Sequence, residues 1–595
     1  MIRKLLFFAI LLALAVVLFF NPNFKTIAAG VAILLFGMIM LEEGFKVFTK
    51  GPLKNILKNA TNKLYKSIAA GAFVTALIQS SSLVSVITIS FISAGLISLA
   101  GGIGLIFGAN IGTTATAWLV AGLGLKIKIS ALAMPMLVFG LVFSFQKKAS
   151  YKGIGNILAG LGFFFLGVHY MKEGFDVFKE FIDLTQYSVS GYLGVLLFTL
   201  IGIIITTILQ SSSATLVLII TAMAAGQIEY ENALALAIGA NVGTTITAIL
   251  GSLTSNVAGK RLAGAHLVFN LITGIVAIVF IFQLAELVDL ISSKVGIGET
   301  DYTLKLALFH TIFNIIGVAI MIPFIKMLER LLLRIFKEKV DQDIDEPKYL
   351  NEHVLEFPDS SIIALINESK YLYKNAIFEI VSHALNIHRD DIKSHRKIKK
   401  IIKGSREDMH IDVENLYYKK VKSIYGEIIK YATTTQNEFN LTENQNKTIT
   451  ELKISNRKMV EIIKDVKELN KNLTLSLDLE NEYLQKEYDE FRRKVTKVLR
   501  AIYLFRKTEN TENTEKYSKK LALLKKEAKA NIRKSNKSFD ELIRKNLITP
   551  EMASSLFNDN SNVNDMIKKL IQVAELLYGE KDLLLENDVE NNIKA

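Results

Sequence analysis

Hydrophobic positions fall into two regimes along the 595-residue chain. Up to residue 324 they form long unbroken runs; beyond it they recur at helical spacing among charges. Runs of membrane-spanning length lie near 5–20, 26–41, 103–121, 129–146, 153–171, 232–250, 262–283 and 302–324. Two further regions, about 65–98 and 192–226, are apolar but interrupted in the middle by Gln-Ser-Ser-Ser. The pattern predicts about eight spans and two broken hairpins that enter and leave the membrane on one side. In the rear part Tyr488, Phe491, Val495, Val498, Ile502 and Phe505 follow a 3-4-3-4-3 spacing. Ile362, Leu365, Leu372, Ala376 and Ile380 make a second stripe behind the start signal Pro358-Asp359-Ser360. Such stripes predict helices that bury one face in a bundle. The polar doublet Thr508–Asn513 predicts the loop between two of them. The fold class is therefore all-α: a polytopic membrane domain, then a soluble helical bundle.

Charge sharpens that division. The first 324 residues hold 20 Lys/Arg and 12 Asp/Glu, and the remaining 271 hold 50 and 45. The front is thus about 10% charged and the rear about 35%, against about 25% in soluble proteins. A fully soluble enzyme and a disordered chain are both excluded. The absence of cysteine removes disulfide scaffolds, thiolate zinc sites and cysteine catalysis. Net charge divides as +8 in front and +5 behind. No basic face with interleaved aromatics points to nucleic acid.

The front lysines cluster between apolar runs. Arg3 and Lys4, then Lys46, Lys50, Lys54, Lys58, Lys63 and Lys66, then Lys147, Lys148 and Lys152, then Lys260 and Arg261 fall on one side. Glu173, Asp176, Glu180, Asp183, Glu286, Asp289, Glu299 and Asp301 fall on the other, with a minority of lysines. By the positive-inside rule both ends of the chain are cytoplasmic. Ala13-Leu14-Ala15 mimics a signal cleavage site, but apolar residues continue through Phe20, so the first run reads as an uncleaved span.

The chain also repeats itself. Thr75 with Gln79-Ser80-Ser81-Ser82 recurs as Thr206 with Gln210-Ser211-Ser212-Ser213, 131 residues later. Residues 108–117, Gly-Ala-Asn-Ile-Gly-Thr-Thr-Ala-Thr-Ala, recur at 239–248 with eight of ten positions identical. Glu43-Gly44-Phe45 recurs as Glu173-Gly174-Phe175, at an offset of 130. An odd number of spans separates the copies, which inverts one against the other; inverted repeats with broken helices are how secondary transporters are built.

Residue types at the breaks fit that construction. The glycines of Asn110-Ile111-Gly112 and Asn241-Val242-Gly243 would let a helix unwind there. Half-helix N-termini favour an anion, and Ser, Gln and Asn supply neutral donors. Sodium takes hydroxyl and carbonyl oxygens. One Gln/Asn/Ser/Thr cluster therefore serves an oxyanion and a small cation together, without a buried base. Against this stands simple packing, since Ser, Thr and Gly also let membrane helices approach closely. His266 with Asn270, and His310 with Asn314, lie one turn apart and read as interhelical hydrogen-bond pairs. Glu43 and Glu173 read as solvated carboxylates at span ends, and Trp118 as packing. No Ser-His-carboxylate arrangement supports a hydrolase, so the chain is not expected to be an enzyme.

The paired QSSS runs, the paired GAN-x-GTT runs and His310-Thr311-Ile312-Phe313-Asn314 together resemble the type II sodium/phosphate cotransporter family, over about residues 26–324. The resemblance implies sodium-driven symport of inorganic phosphate across the cell membrane, with sodium as the co-transported ion. It implies substrate and sodium binding at Gln79, Ser80, Ser81, Ser82, Gln210, Ser211, Ser212 and Ser213. Asn110, Thr113, Thr114, Asn241, Thr244 and Thr245 follow by the second motif. The rear part is similar to the PhoU-like domain fused to bacterial members, whose Glu-x-x-x-Asp patterns are associated with metal. Glu461 and Asp465 match one such pattern; at Ser561 to Asp565 the glutamate is missing.

The expected organisation is a transport domain at 1–325 with repeats at about 26–146 and 153–283, a charged linker at 326–347, and a cytosolic PhoU-like domain at 348–595. Expected partners are inorganic phosphate, sodium, the lipid bilayer and a cytosolic phosphate-signalling protein. The alternative is a membrane-anchored phosphate sensor that binds without translocating.

Overall fold

The computed structural model describes residues 12, 15–47, 60–125, 129–179, 183–337, 346–405, 411–478, 480–508 and 513–579. The chain divides into two compact units, Met1–Glu338 and Lys339–Ala595. Both are helical, with no strand among the described residues.

In the first unit the helices are α1 (Pro22–Lys46), α2 (Leu64–Ile78), α3 (Ser81–Ser93), α4 (Leu99–Trp118), α5 (Ile129–Ser144), α6 (Ala149–Lys179) and α7 (Gly191–Leu209). They continue as α8 (Ser212–Ala224), α9 (Tyr230–Gly243), α10 (Thr245–Ser252), α11 (Val257–Val279), α12 (Ile281–Val295), α13 (Tyr302–Met321) and α14 (Ile325–Ile335). Among the described residues seven stretches are long and apolar enough to cross a membrane: Phe24–Phe45, Leu99–Gly124, Ala149–Lys179, Gly191–Leu209, Tyr230–Ser252, Val257–Val279 and Tyr302–Ile335. The unit is a polytopic all-α membrane structure. Most of the first expected span, 5–20, lies outside the described residues, as do Lys50, Lys54 and Lys58.

Three details differ from the pattern-based expectation. α5 has 16 residues, about 24 Å at 1.5 Å per residue, and is shorter than a full span. The two broken regions are unequal: α7 has 19 residues where its counterpart α2 has 15. The first arm of the second hairpin is thus itself long enough to cross. Residues 326–335, expected as the start of the linker, lie in α14, with Ile325, Leu328 and Leu332 buried and charges on the other face. Arg261 fixes the end of α14 by donating from Nε and Nη2 to the Phe336 carbonyl, at 3.0 and 2.7 Å.

Glycines set the framework. α1 carries Gly30, Gly37 and Gly44, and α6 carries Gly160, Gly167 and Gly174, every seventh residue and in the repeat register. A Cβ at Gly37 would lie 2.5 Å from the Phe164 amide nitrogen, and one at Gly167 2.5 Å from that of Leu34. Gly30 faces Gly167, Gly37 faces Gly160 and Gly44 faces Gly153. The two equivalent helices therefore pack antiparallel, as inverted copies must.

The glycines of the second motif do the same work elsewhere. A Cβ at Gly108 would collide with the Ile68 carbonyl oxygen of α2, and one at Gly239 with that of Thr199 in α7. α4 runs unbroken through Asn110-Ile111-Gly112, so this segment does not unwind as expected. α9 ends at Gly243, and α10 starts two residues on. Small residues here permit backbone contact between helices, the packing role weighed against the binding one.

The second unit holds α15 (Pro358–Leu372), α16 (Phe378–Ala384), α17 (Arg389–Lys393), α18 (Ile398–Gly404), α19 (Val413–Leu416), α20 (Ser423–Glu438), α21 (Glu443–Asp478), α22 (Glu482–Lys507), α23 (Thr514–Arg544) and α24 (Pro550–Tyr578). Both apolar stripes are buried throughout, from Ile362 to Ile380 and from Tyr488 to Phe505. α15 begins at Pro358, and the turn between α22 and α23 falls at the polar doublet, of which 509–512 lie outside the described residues.

Candidate functional site

Each Gln-Ser-Ser-Ser run is a helix end followed at once by a helix start. Gln79 closes α2 at φ 60°, ψ 23°, and Gln210 closes α7 at φ 53°, ψ 24°. Residues other than glycine rarely enter this left-handed region. Only Gln79, Gln210, Asn386 and Asn546 do so among the described residues, and two of the four hold the same motif position. The next serine caps the new helix. Ser80 Oγ accepts from the Leu83 amide at 3.2 Å, and Ser211 Oγ from the Ala214 amide at 3.1 Å. Ser81 and Ser82, like Ser212 and Ser213, are then first-turn residues whose amides have no intrahelical acceptor. No protein group among the described residues hydrogen-bonds the hydroxyls of Ser81, Ser82 or Ser212.

The two breaks meet through Thr116 of α4. Its Oγ1 donates to Gln79 Oε1 at 2.8 Å and stands 3.4 Å from Ser213 Oγ. A hydroxyl has one proton, so the Ser213 hydroxyl donates in return. Gln79 is held for this by its own amide, which donates from Nε2 to the Ala76 carbonyl at 2.5 Å. Thr116, Ser212 and Ser213 are buried. Thr116 was not among the residues singled out, although it lies inside the duplicated ten; register alone cannot say which of them turns toward the break.

The other motif residues go elsewhere. Thr113 and Thr114 donate to carbonyls of their own helix at 2.9 and 2.8 Å, and Thr245 donates back across the junction to the Val242 carbonyl of α9 at 2.8 Å. Asn110 does likewise, bonding the Ile106 carbonyl at 2.9 Å. Thr244 caps the junction of α9 and α10 through its backbone. Asn241 instead donates to Asn270 Oδ1 at 3.2 Å and Asn314 Oδ1 at 3.0 Å, joining α9, α11 and α13. Both His-x-x-x-Asn pairs thus make interhelical bonds through asparagine, while His266 and His310 are buried with Nδ1 unpartnered. Trp118, read as packing, donates to Thr311 Oγ1 at 2.9 Å and ties α4 to α13.

One carboxylate stands at the first break only. Ser80 Oγ donates to Glu42 Oε2 at 3.4 Å. The repeat-equivalent of Glu42 on α6 is Lys172. The neighbour of Glu42, Glu43, expected as a solvated carboxylate at a span end, is exposed.

In the second unit, Glu461 and Asp465 share one face of α21, as their spacing requires. That face holds an ammonium. Lys569 of α24 lies 2.8 Å from Asp465 Oδ2 and 3.8 Å from Glu461 Oε2, while Arg457 Nε lies 3.2 Å from Glu461 Oε1. Burial raises the Asp465 carboxyl above its usual range, and the Lys569 bond opposes this. No cluster of three metal-type ligands occurs among the described residues. Glu461 and Asp465 thus take part in an ion-pair cluster with Lys569 and Arg457.

Comparison with known proteins finds a matching family and several relatives. The profile of the Na+/Pi-cotransporter family matches residues 33–173 and 193–326. A Salmonella typhimurium protein, YjbB, provisionally named for inorganic phosphate export, is 29% identical over 347 residues, 58% of this chain and 61% of the relative. The chain thus spans about three fifths of that relative's length. The Bacillus subtilis protein YqeW, uncharacterised by name, is 28% identical over 53% of this chain and 95% of its own length. A mouse protein named sodium-dependent phosphate transport protein 2C is 40% identical over 86 residues, 14% of each chain. No solved structure matches at comparable significance.

Proposed function

We propose that this chain, whose membrane unit belongs to the Na+/Pi-cotransporter family, carries inorganic phosphate across the cell membrane in symport with sodium. The observation that carries the reading is the Thr116 link, which brings both duplicated breaks to one buried point. Phosphate takes the free hydroxyls of Ser81, Ser82 and Ser212 and the first-turn amides of α3 and α8, whose dipoles favour an anion. Sodium takes oxygens beside them: Gln79 Oε1, serine hydroxyls and the Glu42 carboxylate. Rocking of one inverted half against the other opens this point to each side in turn. The lysine-rich loops and both chain ends face the cytoplasm. There the second unit acts as a PhoU-like regulator and leaves translocation to residues before 346.

Uptake of radiolabelled phosphate into proteoliposomes, with the sodium gradient inward, outward or absent, tests this. Sodium-dependent movement that follows the gradient is expected, and Ser81→Ala or Ser212→Ala should lower it by about tenfold with insertion intact. Binding without movement under any gradient would establish the sensor instead. The export name of the Salmonella relative favours physiological efflux as a second reading of direction. Sidedness-controlled vesicles loaded with phosphate measure it directly. Truncation after Asp345 should leave the transport rate within about twofold; complete loss with correct insertion would join the second unit to the transport machinery.

A further inference from the structure

The second unit contains a cavity of about 340 Å³ whose walls are cationic and phenolic. Lys370 and Lys374 come from the end of α15 and the turn after it, and Arg506 from the last turn of α22. Tyr349, Asn367, Tyr371 and Tyr578 complete the lining. The lining contains no carboxylate. Glu368, next in sequence to the lining residue Asn367, is buried and accepts from the Tyr349 amide at 2.7 Å.

Charge here is arranged against itself. The Lys374 ammonium is held below the usual lysine range, first by partial burial and then by the positive charges of Arg506, Arg389, Lys348 and Lys393. Some of those neighbours are neutralised: Arg389 lies 4.0 Å from Glu379, and Lys393 lies 2.8 Å from Asp390. Lys374 and Arg506 have no ion-pair partner among the described residues. Arg506 Nη1 is buried without a hydrogen-bond partner, which is costly for a charged donor. The ring faces are already covered, with Lys348 over Tyr349 and Tyr371, and Lys370 over Tyr578. The Tyr578 hydroxyl donates to the Lys370 carbonyl at 3.3 Å, so the cations are what this lining presents to a ligand.

A fold keeps such a cluster when a counter-charge completes it. Several convergent cations, one of them a planar guanidinium, match an anion with several oxygens in a row. We propose that this cavity binds a condensed phosphate, a chain of two or more linked phosphoryl groups, free or as the tail of a nucleotide. The site lies wholly in the second unit and is separate from the Gln-Ser-Ser-Ser breaks. It supplies an input that reports cytosolic phosphorylated anions independently of the transported ion.

Calorimetric titration of the full-length chain in lipid nanodiscs tests this with inorganic tripolyphosphate, adenosine triphosphate and orthophosphate. Tripolyphosphate is expected to bind at least about tenfold more tightly than orthophosphate. Equal affinity for the two triphosphates would show that the phosphate chain suffices; tighter binding of the nucleotide would add a contribution from its base. Arg506→Gln and Lys374→Gln should each weaken binding by about tenfold, and Arg506→Lys should retain most of it. The ligand-free variants should melt no lower than the parent, because each removes a repelled charge. The variants should need about tenfold more tripolyphosphate for the same rise in melting point. Unchanged affinity in both variants, or orthophosphate binding as tightly as tripolyphosphate, would overturn the proposal.

Discussion

In the first repeat, Asn110 bonds back along its own helix; in the second, its equivalent Asn241 reaches two other helices. The reverse holds for threonine. Thr116 joins the two breaks, while Thr247, its equivalent, donates to the Thr244 carbonyl 2.7 Å away. Glu42 stands beside the first break, where the second repeat has Lys172 in the corresponding place. Duplication has therefore preserved the backbone devices: a left-handed glutamine, a capping serine and close-packed glycines. The side-chain contacts have diverged. In the proposed transport cycle two unlike ions meet different surroundings, because the residues around each break differ.

The largest expected effect comes from what the repeats share. Gly108→Ala and Gly239→Ala each force a Cβ into a carbonyl oxygen of the neighbouring helix, and overpacking of this kind costs about 3 kcal/mol. Both should abolish a folded, monodisperse species in detergent; survival of either would show that its repeat packs more loosely than its twin. Next comes Thr116→Val, which severs the link between the breaks and should reduce phosphate flux more than about tenfold. Thr247→Val should leave flux within about twofold. Equal losses in the two would erase the asymmetry.

Glu42→Gln sharpens the comparison further. Removing one carboxylate should raise the sodium concentration for half-maximal transport by about tenfold, the weight of a charge-assisted contact. The phosphate KM should stay within about twofold, and parallel changes in both would place Glu42 outside a sodium site. Asn241→Ala should lower stability in detergent by about 1 kcal/mol, against little change for Asn110→Ala. Denaturant melts of the two variants decide it.

The smallest effect belongs to the second unit's own unequal pair, Glu461-x-x-x-Asp465 against Ser561-x-x-x-Asp565. Lys569→Ala should cost less than about 1 kcal/mol, since the bridge is partly solvated. It should also raise the Asp465 carboxyl further, because burial and the negative charges of Asp565 and Glu461 then act unopposed by the lysine. A carbon-detected titration of that carboxyl reads the shift.

Much of this protein is legible in its residues. Unbroken apolar runs with few charges must lie in a membrane, because only there does an all-apolar helix surface escape water. Stripes at 3-4 spacing must face a core, as Tyr488 to Phe505 do. A motif repeated in register marks both breaks and their inversion, since equivalent backbone needs equivalent residues. The tertiary structure alone decided which donors meet. Thr116, Thr113 and Thr114 are close in sequence, yet only Thr116 turns toward Gln79 and Ser213. Glycine at 108 and 112 fits unwinding or close contact equally well by composition; the carbonyls of Ile68 and Ala72 against them select contact. Lys569 reaches the Glu461–Asp465 face from another helix more than a hundred residues on. Local sequence fixes where a helix starts, ends and bends, because those are local backbone energies. Which side chain faces a partner depends on helix rotation and neighbour, and these are set by packing across the whole unit.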